Sequence, residues 1–138
     1  MIFKILLIVA CSLSTILAFN SKKSTEDIFS EWRTRVKEHQ VCFQSSGVLQ
    51  EEVENYFVHY EMSSRRNFKC YLECIFKDLE FINKDGTINQ VNFVEGAEKV
   101  SNEMFETCNA KVAKETDGCE MIYQFVYCIV HYAHIYLQ

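Results

Sequence analysis

The side chains most able to do chemistry in this 138-residue chain are seven cysteines, four histidines and an Asp-Gly turn. Cys70 and Cys74 stand four apart, as a zinc-ligand pair does, but no second compact Cys or His pair follows at a finger-like distance. Cys11 falls within the apolar run Ile5 to Leu17, which sits behind Lys4 and ahead of the small residue Ala18. That pattern reads as a secretory signal peptide over residues 1–18, and the run is shorter than the roughly 20 residues a membrane span needs. Residues 19–138 then form the mature domain, with six cysteines. An even number in an exported, extracellular chain reads as three disulfides, which leaves no thiol free to act as a nucleophile.

His131 and His134 lie three apart and could present two imidazoles to a metal or move a proton. The sequence supplies them no Ser in a Gly-x-Ser-x-Gly elbow and no carboxylate pair flanked by apolar residues. They read as partly buried, hydrogen-bonded side chains, and His39 and His59 as surface residues. Placing Gly86 at the sixth position of a calcium loop puts Phe81 first and Asn92 twelfth, so both carboxylates that calcium needs are missing. No catalytic residue, metal site or cofactor is expected. With 14 basic and 19 acidic residues, net −5, the chain has no basic face for nucleic acid, and Arg65, Arg66 and Lys69 are too sparse to make one.

Zero proline, four glycines and 24% charged residues point to one compact all-helical domain. Ser24 with Asp27 makes a capping box ahead of Ile28, Trp32 and Val36, placing a first helix from Thr25 to near Cys42. Gly47 breaks it, and a second carries Val48, Val53, Phe57 and Tyr60. A third follows Ser63-Ser64 and ends near Phe81; residues 83 to 89 form a turn. A fourth, Gln90 to Lys99, is weakened by Gly96 at about 1 kcal/mol, and a fifth spans Ser101 to Lys114. Asp117 with Glu120 caps the last, apolar nearly all round from Met121 to Leu137, which places it centrally in the core.

On these helices Cys70 and Cys74 project about 40° apart, from one face, whereas Cys119 and Cys128 leave opposite sides of theirs. Neither pair can bridge internally, and ten of the fifteen pairings of six cysteines stay open.

Six cysteines separated by 27, 3, 33, 10 and 8 residues, with Phe68-Lys-Cys70-Tyr-Leu-Glu-Cys74-Ile-Phe-Lys, Asp85-Gly86 and Asp117-Gly-Cys119-Glu ahead of Cys128, resemble the six-cysteine insect odorant-binding proteins of the pheromone-binding and general odorant-binding family. The resemblance implies six helices around an apolar cavity and the bridges Cys42–Cys74, Cys70–Cys119 and Cys108–Cys128. It implies a secreted carrier of small hydrophobic ligands such as odorants or pheromones, a monomer or weak homodimer, with a membrane chemoreceptor as a further partner. It also points to Ile129, just after the last cysteine, and to Phe76, Phe105, Met121 and Phe125 as pocket residues, with Trp32 and Val36 from the first helix. His131 and His134, joined to the family's pH-dependent release, are candidates for a pH switch. The competing reading is a secreted, disulfide-stabilised signalling or toxin-like protein acting through its surface.

Overall fold

The computed structural model describes residues 24–37, 40–97 and 99–132; the expected signal segment and His134 lie outside them. Seven α-helices are described: α1 Thr25–Lys37, α2 Gln40–Ser46, α3 Gln50–His59, α4 Arg66–Asp78, α5 Gln90–Gly96, α6 Asn102–Val112 and α7 Gly118–Val130. Among the described residues seven helical elements stand against the expected six, because the segment read as one helix from Thr25 to Cys42 holds two described elements, α1 and α2, on either side of residues 38 and 39. The second runs four residues past Cys42, to Ser46, before Gly47 turns the chain at φ +65°.

Capping chemistry sets the helix starts. The Ser24 hydroxyl accepts the Asp27 N–H at 3.1 Å, Ser101 accepts from Met104 and Asp117 accepts from Glu120 at 2.9 Å, each satisfying an amide that the first turn leaves orphaned. At α3 the cap comes from inside the helix: the buried Glu52 carboxylate accepts the Leu49 N–H and the Ser63 hydroxyl, with Arg65 3.5 Å away. Burial would raise its pKa, but these partners outweigh burial and hold it below the usual carboxylate value.

Helix ends follow packing rather than propensity. The third expected helix reaches only Asp78, because Glu80 adopts φ +58° and swings Phe81 into the core. The following turn closes through an isolated bridge between Ile82 and Ile88, and the Asp85 carboxylate is engaged by the Thr87 N–H and hydroxyl. The fourth helix stops at Gly96, where a Cβ would lie 2.8 Å from the Phe81 ring. Gly96 is therefore a point of close approach, required by the core.

The core gathers where α4, α6 and α7 meet α5. Phe68, Leu72, Phe76, Phe93, Phe105, Ile122 and Phe125 are almost fully buried. Phe93 sits among Phe76, Phe81, Phe105 and Phe125 at centroid distances of 5.1–6.1 Å. Disulfides join Cys42 to Cys74, Cys70 to Cys119 and Cys108 to Cys128, tying α2 to α4, α4 to α7 and α6 to α7. Cys119 and Cys128 thus secure opposite sides of α7 to different helices. Cys42, Cys74 and Asp78 cluster within 4.8 Å, but the two sulfurs are bonded to each other and offer no thiolate to a metal. Among the described residues no helix is long and apolar enough to cross a membrane.

Candidate ligand-binding cleft

A cleft of about 600 Å³ opens between α1 and the C-terminal half of α7, within the range typical of small-molecule sites. Ile28, Phe29 and Trp32 of α1 form one wall, and Val126, Ile129 and Val130 of α7 face them. Phe76 and Phe93 form part of its lining beside Ala97, Val100 and Met104, and α3 contributes Tyr56, with Tyr60 from the C-cap that follows it. The α7 trio follows i, i+3, i+4 spacing, which puts its side chains on one face. Six helices and the segment between α5 and α6 therefore converge on one largely apolar space.

Trp32 is fixed by its own polar atom. Its indole N–H donates to the Gly96 carbonyl at 3.2 Å, so the ring lies against Phe81 and Phe93 and presents carbon to the cleft. Phe29 stands edge-on to Tyr56 and Tyr60, at 5.5 and 4.7 Å. The cleft's charged and imidazole groups belong to exposed or half-exposed residues: His59, Glu61, Lys99 and His131. Lys99 reaches the Thr25 hydroxyl at 3.5 Å, and the His131 ring lies 4.3 Å from that of Tyr127.

Of the residues expected to line a pocket, Trp32, Phe76 and Ile129 meet here. Phe105 and Phe125 instead pack on each other and on Phe93 in the solid core, and Met121 packs against the core cluster. Val36 turns to a second, smaller cleft of about 400 Å³ with Phe43, Phe57 and Tyr71, rimmed by the Arg33–Glu54 ion pair. His131 lines the main cleft, whereas His134 falls outside the described residues. Sequence reasoning missed Phe29, Tyr56, Phe93 and Val126; the i, i+3 relation of Phe29 to Trp32 and of Val126 to Ile129 was the signal available for two of them.

The α7 wall is anchored to α4 around Cys70–Cys119. Arg66 donates to Asp117 and Lys69 to Glu120, each at 2.7 Å, and the Lys69 ammonium also stands 4.5 Å from the Tyr123 ring centre. The Arg66 hydrogen bond, with the Glu120 amide, lowers the Asp117 pKa to about 2. Gly118 leaves room for the Glu73 carboxylate, which a Cβ would meet at 2.2 Å.

Compared with known proteins, residues 32–132 match the PBP/GOBP family. No curated protein and no solved structure matches the chain.

Proposed function

This chain belongs to the PBP/GOBP family, a family of non-catalytic carriers, and from that premise we propose that it is a secreted six-cysteine carrier of small hydrophobic molecules. Residues 1–18 direct export and residues 19–138 fold as the carrier domain. The observation that supports this reading is the apolar cleft between α1 and α7. A ligand is held there because burial removes apolar surface from water at about 25 cal/mol per Å², while three disulfides, each worth about 2–4 kcal/mol, compensate for the packing that a hollow costs. Trp32, Phe76 and Ile129 supply contact surface, and transport through aqueous extracellular fluid follows from reversible occupancy. A role in olfaction rests on the family alone.

The test is saturable enhancement of N-phenylnaphthylamine fluorescence by the secreted protein, with displacement by volatile apolar compounds at micromolar levels. Ile129→Trp, which fills the cleft, should weaken probe binding about tenfold or more with an unchanged circular dichroism spectrum. Failure of the wild type to bind the probe, or of the variant to weaken it, would overturn this assignment and favour a protein acting through its surface.

A further inference from the structure

Tyr56 and Phe57 are consecutive on α3 and divide the two clefts between them: Tyr56 lines the larger and Phe57 the smaller. Tyr56 is 1% exposed, and its ring makes edge contacts with Phe29, Phe57 and Phe68 at 5.5, 4.9 and 5.6 Å. A phenol set among rings has a polar atom that must be satisfied, since burying a hydroxyl without a partner costs free energy. Among the described residues no hydrogen bond engages the Tyr56 hydroxyl, and no side-chain oxygen or nitrogen that is wholly sealed goes without a partner. The hydroxyl must therefore keep an opening, and the space that Tyr56 lines is the larger cleft. Of the described lining residues with polar side chains, Tyr56 alone is buried; Thr25, His59 and Glu61 are exposed, and Trp32, Tyr60, Lys99 and His131 are half-buried. Trp32 has spent its N–H on Gly96.

We propose that Tyr56 is the polar anchor of the cleft and that the occupant is an apolar molecule carrying one neutral acceptor oxygen, a carbonyl or hydroxyl, that accepts the Tyr56 O–H. This rests on the carrier reading and specifies the ligand class for that same site. Burial, followed by the neighbouring Tyr71 phenol, raises the Tyr56 pKa, so the group remains an O–H donor throughout the physiological range. No cation contributes to that shift, and a carboxylate placed against Tyr56 would be buried without a counter-charge. A hydrocarbon that fills the cleft displaces any water on the hydroxyl without replacing its hydrogen bond, and so binds less well than a ketone of the same shape.

The decisive comparison uses cyclooctane, cyclooctanone and cyclooctanecarboxylate with the secreted protein and its Tyr56→Phe variant, the two neutral compounds measured by headspace partitioning and the acid by displacement of N-phenylnaphthylamine. In the wild type the ketone should bind more tightly than the hydrocarbon, and Tyr56→Phe should reduce that ratio about tenfold without loss of hydrocarbon affinity. The carbonyl stretch of bound cyclooctanone should also lie at lower frequency in the wild type than in the variant, a signature that a merely structural tyrosine would not produce. An unchanged ratio and an unchanged stretch overturn the inference while leaving the carrier reading intact. So does tightest binding of the carboxylate that is insensitive to Tyr56→Phe and lost in Lys99→Gln. A wild type that binds none of the compounds, nor the probe, overturns the carrier reading itself, and the anchor with it.

Discussion

The part of the molecule built from α2, α4, α6 and α7 is tied by all three disulfides, whereas α1, the facing wall of the cleft, carries no cysteine. Only Ile28 and Val36 of α1 are buried. Its attachments include the Trp32–Gly96 hydrogen bond, the Trp32 ring against Phe81 and Phe93, the Phe29 ring against α3, the Lys99–Thr25 contact and the half-exposed Arg33–Glu54 ion pair, and exposed ion pairs contribute about 0–1 kcal/mol. A container that must admit a ligand needs walls that keep their shape and a wall that can part. Here the covalent staples lie on one side of the cleft, and no disulfide ties α1 to α7.

The largest effect that would test this contrast is at Phe125, in the stapled half. It is fully buried against Phe93 and Phe105, and Phe125→Ala should cost about 3–5 kcal/mol in urea unfolding. On the other side, Trp32→Phe removes one hydrogen bond and part of an aromatic surface and should cost only about 1 kcal/mol. Native-state hydrogen exchange should add that α1 amides open at lower free energy than those of α4 and α7. Equal losses from the two variants, or α1 protection matching α7, would break the contrast.

Helix starts were legible on both sides of the cleft because their signals are local. Ser24 with Asp27, Ser101 and Asp117 with Glu120 are caps whose chemistry lies within one turn, and each starts a helix where the sequence places it. Helix ends were less legible, because Glu80 and Gly96 answer to Phe81, a tertiary partner that local propensity does not register. The cleft was half legible for a related reason. Phe76 and Phe125 both occupy apolar helix positions, yet one borders the hollow and the other fills the core. Periodicity tells which face turns inward and is silent on whether that face meets another side chain or empty space. Tyr56 was missed because a tyrosine beside Phe57 reads as core, and only the partnerless hydroxyl distinguishes it.

The smallest expected effect concerns the charges that dress the stapled side. Asp117 caps α7 and takes the Arg66 guanidinium, and its pKa of about 2 lies below the ordinary 3.8. A carboxyl depressed in the folded state stabilises the fold above its unfolded value, and that contribution is lost as pH falls through the folded one. The window is therefore about pH 4 down to 2. Asn at this position keeps the cap, since Asn and Asp serve almost equally as N-caps, but it abolishes the charge. Asp117→Asn should thus melt slightly lower than the wild type at pH 7, and the two melting temperatures should converge as acid protonates Asp117. Because the pair is exposed, salt should shrink the neutral-pH difference as well. Thermal melts followed by circular dichroism at pH 7, 4 and 2.5 would read this. A difference that persists undiminished at the lowest pH would show that Asp117 acts on α7 through its cap geometry and not through its charge.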